Sequence, residues 1–531
     1  MAINRAVMIQ DRMLQLHTLR ASLDGRANVE IDTELASVLY KRKLLSWMSF
    51  PILDLPTEIL AIIFHFVVCS SASADQATEH RLRISWVCKR FREVAIADQN
   101  LWNSIWFHEK YPWTRALAFV ERAGTSPIDI CISEMVKKPG EKEKPPSMTV
   151  QEINYLLDRI LPKIGQIRIV VVLLDDMEVV QTFLSRFANA GPARWLERFE
   201  VHWMDQKHLW PSILTDGKGG LLPLSYHPTP NLRCLCLNGP TINWSRLDPV
   251  NLRTIDLRRM PTYACPLSDR WTELLTASPD LYNLALDAAG PQWKFDAAAP
   301  RIPVKRVHLP NLRVLVLANI AASFALWALA HIYAPGVMEL TLTNLAGIGY
   351  AEAILRMPPF TNVRLLTLSA FHVPESENNK LMMIRWFMGM PRLRMLKIVG
   401  LQRFVLDTFH EDASVVCTPD GLERFYDLQR KAGVPADELV PPVACRALET
   451  LWFQGQQAMD ISTFVTKRNA LGKRAKPIKT VYTPLSHRQN VTDDEMKKIM
   501  DAGARFLLIT NCDTPEEHAI HVEASASVGR K

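Results

Sequence analysis

One pattern limits what this chain can fold into. Leu-x-x-Leu-x-Leu, with aliphatic or aromatic substitutes, recurs through most of its length. It stands at Ile164/Ile167/Ile169, Leu196/Phe199/Val201, Leu232/Leu235/Leu237, Leu252/Ile255/Leu257 and Leu281/Leu284/Leu286. It returns at Leu312/Leu315/Leu317, Val337/Leu340/Leu342, Val363/Leu366/Leu368, Leu393/Leu396/Ile398 and Leu448/Leu451/Phe453. From Leu232 to Leu393 six intervals span 161 residues, a mean of about 27, within the range of stacked strand-and-helix repeats.

Proline sharpens the phase. It stands two residues before the first aliphatic at Pro230, Pro279, Pro310, Pro335 and Pro391. Because it cannot continue a helix and favours extended geometry in the residue before it, it marks a return from helix to strand. Between strands, helical spacing predicts helices over Asp269–Thr276, Ser323–Tyr333, Tyr350–Met357 and Asn378–Met388, with Asp269 and Ser323 as N-caps. A single unit cannot bury its own apolar face, whereas stacked units build a curved parallel sheet over one continuous core. The fold class expected is therefore α/β, with a strand–helix solenoid over 151–510. Residues 401–444 carry Pro435, Pro441 and Pro442 and read as an irregular insert.

The residues between the leucines face the other side of the sheet, where a partner would bind. Candidates there are Asp256, Arg258, Asp287, Glu339, Lys397 and Trp452. Trp452 reads either as an exposed anchor or as a residue packed under the adjacent insert.

Before the repeats, residues 1–48 read as two helices. Ile9, Met13, Leu16 and Leu23 repeat on one and Ile31, Leu35, Val38 and Leu45 on the other, with a break at Gly25. A helical hairpin is favoured, and a dimerising coil over 5–47 stays open. Residues 107–150 read as a connector holding a first strand and an exposed charged loop, Lys137–Pro146. At the far end Thr492 and Glu495 form a capping box, and Phe506–Ile509 reads as a last strand. Residues 511–531 are small and polar and read as a disordered tail.

The segment 51–106 carries the clearest functional pattern. Pro56 fits a first helical position and Glu58 the first turn. From Ile59 to Val68 every residue except His65 is apolar, so that helix needs cover on more than one side. A second amphipathic stretch, Leu82–Ala95, places Val87, Phe91 and Val94 on one face, and Asn100–Trp106 closes the unit with two tryptophans. The pattern alone allows a docking module with surplus apolar surface or an N-terminal cap of the repeat array.

Leu-Pro-Thr-Glu-Ile-Leu-Ala-Ile-Ile-Phe, Val-Cys-Lys-Arg-Phe-Arg-Glu-Val-Ala and Leu-Trp-Asn-Ser-Ile resemble the F-box in order and spacing. With the degenerate repeats that follow, the chain is similar to fungal F-box/leucine-rich-repeat proteins. The resemblance implies a substrate-recognition subunit of an SCF-type cullin–RING ubiquitin ligase, whose F-box binds the Skp adaptor and whose repeats bind a protein target. It implies adaptor contacts at Leu55, Pro56, Ile59, Leu60, Phe64, Val87, Cys88, Phe91, Leu101 and Trp102. Two departures stand out in the F-box: Phe91 replaces a common tryptophan, and Ser70–His80 lengthens the link between the first two helices. In the repeats the asparagine expected at each ninth position is missing, with Pro240, Ala289 and Ile320 in its place.

The remaining features exclude other classes. A net charge of +7 over 531 residues is no nucleic-acid footprint. The apolar runs fall short of the ~20 residues that cross a bilayer. Nine scattered cysteines without a CxxC pair fit a reducing compartment, cytoplasm or nucleus. Cys234-x-Cys236 lacks the spacing and partners of a zinc site. The basic run of Lys467, Arg468, Lys473–Lys476 and Lys479 reads as a solvated loop. No GxSxG, HExxH or phosphate-loop motif is present, so the expectation is a non-enzymatic adaptor without cofactor.

Overall fold

The computed structural model describes residues 11–19, 29–49, 52–134, 147–205, 220–248, 250–292, 306–345, 360–431, 435, 439, 441–455, 458–510 and 513–528. The charged loop Lys137–Pro146 and the helix expected over Tyr350–Met357 lie outside them. The chain divides into two compact units, Met1–Trp102 and Asn103–Lys531.

In the first unit, helix α1 (residues 11–19) meets helix α2 (Val29–Ser49) through Leu16, Leu35 and Val38, with Met13 and Ile31 packed alongside. Arg12 pairs with Glu34 across them at 2.6 Å. Three further helices follow: α3 (Thr57–Cys69), α4 (Ala74–Val87) and α5 (Lys89–Ala97). The expected amphipathic stretch Leu82–Ala95 is thus two helices. Cys88 adopts extended backbone between them, and its Sγ accepts the Phe91 N–H as an N-cap. Nor is Ser70–His80 a loop. Ser73 caps α4, so most of the insert extends that helix toward its N-terminus.

Among the described residues, the second unit is built on one parallel sheet of fourteen strands in sequence order. They are β1 (Ser104–Phe107), β2 (Ile128–Ser133), β3 (Ile167–Leu174), β4 (Arg198–Trp203), β5 (Cys234–Asn238), β6 (Thr254–Arg258) and β7 (Asn283–Asp287). Then come β8 (Val314–Ala318), β9 (Glu339–Thr343), β10 (Leu365–Ser369), β11 (Met395–Val399), β12 (Thr450–Gln454), β13 (Thr480–Pro484) and β14 (Arg505–Ile509). The architecture is the mixed α/β class expected, a helical N-terminal unit followed by a strand–helix solenoid.

The register explains the repeat. Phe199, Leu235, Ile255, Leu284, Leu315, Leu340, Leu366, Leu396 and Leu451 stand side by side as one buried column. The first triplet is out of phase. Val170, not Ile167, pairs with Phe199, after an irregularity at Ile128/Asp129. Trp106, expected to close the helical unit, instead lies in β1 and is half exposed.

Each proline does a specific task. Thr229-Pro230-Asn231-Leu232, Ser278-Pro279-Asp280-Leu281 and Leu309-Pro310-Asn311-Leu312 are turns closed by a bond from the last N–H to the first carbonyl. Proline at the second position presets φ for such a turn, and the strand begins directly after it. Turn side chains also bond from repeat to repeat: Asn251 and Asn311 both donate to Asp280, at 2.7 and 3.0 Å. At the strand exits Asn319 and Asn344 adopt positive φ, and their amides link Asp287 to Asn319 to Asn344. The missing asparagine thus returns in part, one residue earlier than sought.

The insert is tied down by a residue expected in a solvated basic run. Arg468 is fully buried and donates to the carbonyls of Phe409, Ala444 and Cys445. Burial holds its guanidinium down to about 10. Elsewhere in that run Lys476 and Lys479 pair with Glu449, and Lys467 pairs with Asp407. The helices expected over Asp269–Thr276 and Ser323–Tyr333 start at Ser268 and Ala322, with Leu267 and Ala321 at the cap positions. Asp269 acts from the first turn instead.

Candidate functional site

Two surfaces carry the candidate residues. On α3, Leu60, Phe64 and Val68 step by four and are buried, while Ile59, Ile62 and Phe66 lie on the opposite side and are exposed. Phe66 is 72% exposed, and Trp86 and Val87, at the end of α4, are 68% and 64% exposed. Ile52 and Leu53, ahead of α3, are exposed as well. A helix apolar almost all round is therefore covered by its own unit on one side only.

This arrangement sorts the ten residues implied as adaptor contacts. Leu60, Phe64, Phe91, Leu101 and Trp102 hold the unit together. Phe64 and Phe91 meet at 5.0 Å between ring centres, and the Trp102 indole N–H donates to the Ala95 carbonyl at 2.6 Å. Cys88 is half-buried and spends its sulfur on the α5 cap. Leu55, Pro56, Ile59 and Val87 remain reachable. Arg90 donates to the Leu55 carbonyl at 2.6 Å, which holds the segment before α3 in place. Ile62, Phe66 and Trp86 were not among the ten implied contacts, although the all-round apolar character of Ile59–Val68 already signalled a second face.

The sheet face opposite the leucine column is the second surface. Asp256 takes both Arg258 contacts, at 2.7 and 2.8 Å, and Asp287 accepts from Asn319 at 2.6 Å. The Asp256 hydrogen bond pushes the Arg258 guanidinium up. Glu339, Lys397 and Trp452 do not lie open. The segment expected to be a disordered tail contains a helix, Pro515–Val528, whose residues make contacts across strands β7 to β13.

Those contacts are specific. Ile520 packs among Leu365, Met395, Trp452 and Tyr482, from four consecutive strands. Lys397 donates to both Glu517 oxygens at 2.9 and 3.0 Å, and its ammonium lies 5.3 Å from the Trp452 ring centre. Tyr482 donates to Glu516 at 2.7 Å; Glu523 pairs with Arg364 and Arg394; His521 reaches Glu339 at 3.0 Å. Arg313 donates to Ser527 at 2.8 Å. Burial pushes the Glu339 carboxyl up, with His521 acting against it. Burial and the bond to Glu516 push the Tyr482 phenol up to about 12. Trp452 is thus 4% exposed, and the cover is this last helix rather than the insert.

Cys234-x-Cys236 has a partner after all. Glu200, on β4, stands beside both thiols, and the ligand atoms of the three lie within 4.8 Å of one another. The Cys234 thiol lies 3.6 Å from a Glu200 oxygen, and the two sulfurs are 3.7 Å apart. Its bond to Cys234, together with burial, pushes the Cys236 thiol far up, so it keeps its proton. Glu200 is held down to about 2: burial works against it, but His202, Arg198 and Cys236 bond the carboxylate. A structural zinc site needs four donors, and here the carboxylate already pairs with Arg198.

Residues 52–108 match the F-box-like family model, about a tenth of the chain. Among solved structures, the chain is similar to the leucine-rich repeat-containing protein LegL7 from Legionella pneumophila. That comparison gives 10% identity and a TM-score of 0.27 over 80% of this chain and 98% of the other. No curated protein matches the chain significantly. The F-box-like match and the strand–helix repeats together support a protein-interaction adaptor.

Proposed function

We propose that this chain is the substrate-recognition subunit of an SCF-type cullin–RING ubiquitin ligase. The carrying observation is the uncovered apolar face of Ile59, Ile62 and Phe66, with Trp86 and Val87, inside the segment that matches the F-box-like family. Such a face is what a helical docking module offers to a partner. On this reading the F-box binds a Skp-type adaptor and, through it, the cullin–RING core. The repeat sheet then holds a protein target near a ubiquitin-charged enzyme, so the chain contributes proximity and no chemistry of its own. It works without cofactor, in the cytoplasm or the nucleus, where that ligase core operates.

The test is co-purification of the full chain with a Skp-type adaptor. Phe66→Glu and the pair Leu55→Ala/Pro56→Ala change reachable residues, so they are expected to abolish capture while the helical unit stays folded. Full retention of the adaptor by both variants would refute the docking claim. A second reading, an F-box scaffold that gathers partners without ubiquitination, predicts adaptor without cullin or ubiquitinated clients in the same preparations.

A further inference from the structure

The last helix occupies the sheet face that the proposed receptor would offer to its target. Its buried residues, Thr514, Glu517, Ile520 and Ala524, follow steps of three, three and four along one side. That side presents Ile520 and the small Ala524, with acids before and after Ile520, and the sheet answers with Lys397, Arg364, Arg394 and the Tyr482 hydroxyl around an apolar hollow.

Two further observations separate this contact from the rest of the fold. The leucine column is buried on the opposite face, and the strands bond to one another in a ladder to which the helix contributes no strand. Under the helix, moreover, the Trp452 indole Nε1 and Glu339 Oε1 are buried without a hydrogen-bond partner among the described residues. Buried polar groups elsewhere in proteins are nearly always satisfied, and an unsatisfied pair is a standing penalty on the docked state.

We propose that this stretch of β9 to β13 is a docking groove for an acidic amphipathic helix of the protein target. The chain's own last helix sits there as an intramolecular competitor. The recognised form is the one it displays: Glu516-Glu517-x-x-Ile520-x-x-Glu523, two acids, an aliphatic wedge and a third acid on one helical face. The inference rests on reading the repeat sheet as the target surface. A target binds by displacing the helix, so occupancy depends on the competition between the two.

The experiment uses a fluorescent peptide spanning residues 511–531 and the full-length chain. Glu517→Lys/Ile520→Asp releases the helix and leaves every groove residue intact. A tether a few residues long supplies the helix at an effective concentration on the order of millimolar, so the released variant should bind the peptide roughly a hundredfold more tightly than the intact chain. Adding Lys397→Glu to the released variant should abolish binding, and a peptide carrying Glu517→Lys should restore it. A folded released variant that ignores the peptide overturns the proposal. So does an intact chain that binds the peptide equally well. If the double substitution does not fold, a protease site inserted after Thr510, cut after purification, replaces it with the same expected outcomes. Adaptor co-purification is scored in the same preparations, so failure of the ligase reading is distinguishable from failure of the groove.

Discussion

Lys397 and Glu517 form a two-pronged ion pair, at 2.9 and 3.0 Å, across 120 residues of chain, and both are largely shielded from water. Removing one member of such a pair leaves a buried charge uncompensated, at a cost of about 3–5 kcal/mol when the other cannot escape. Glu517 can escape, because its helix can lift away. Lys397→Met is therefore expected to speed proteolytic cleavage within 513–528 several-fold while the sheet's melting temperature changes little. Mass spectrometry of the fragments checks this, and Lys397→Met/Glu517→Leu should return cleavage toward the wild-type rate. Cleavage spread evenly over the solenoid would contradict a locally docked helix.

In the F-box, core and surface should separate cleanly. Trp102 is fully buried and its indole is bonded to Ala95, so Trp102→Ala should cost about 3–5 kcal/mol, enough to unfold the small unit. Phe66 is exposed, and Phe66→Glu should alter stability by no more than about 0.5 kcal/mol. Circular dichroism melts of both variants, read beside adaptor capture, decide the point. Capture should fail in both, through unfolding in the first and with the fold intact in the second.

How much of this was legible in the sequence depends on where the information lay. The leucine column was readable because each strand repeats it locally. Strand β13, Thr480–Pro484, was not, since Thr-Val-Tyr-Thr-Pro offers a single aliphatic residue; its backbone is held by β12 and β14. Ile167–Leu174 is apolar at nearly every position, so alternation could not fix its phase, and Val170 rather than Ile167 joined the column. The last helix announces itself only at its start. Thr514 accepts the Glu517 N–H and Pro515 follows, a capped opening hidden by an Ala/Ser-rich sequence after it. The partners that order it, from Glu339 to Tyr482, lie far upstream, and local composition cannot report them.

Arg468 clamps the 401–444 insert through three carbonyls. Arg468→Met keeps the apolar stem and strands those acceptors, each worth about 1–3 kcal/mol when left unpaired in the interior. Urea unfolding should show a large loss of stability, with the insert the first region to exchange its amides. Arg468→Lys should recover only part, because a single ammonium cannot reproduce the planar fork.

Acid stability should carry a signature of Glu200. Its carboxyl is held down to about 2, against about 4.3 for an unperturbed glutamate, so the folded state releases this proton more readily than the unfolded one. The sign follows: its contribution is fully present above the unfolded value and disappears as pH falls from about 4.3 toward 2. Glu200→Gln removes the charge and its pairing with Arg198, so the variant should be less stable than wild type at neutral pH. The gap should then narrow as the medium is acidified through that window. Other carboxylates titrate there too, Glu339 with the opposite tendency because burial pushes it up, so the informative quantity is the difference between the two proteins at each pH. Guanidinium unfolding at neutral pH, at 4.5 and at 2.5 measures it. A gap that stays constant would mean that the bonds from His202, Arg198 and Cys236 do not hold the carboxylate in solution.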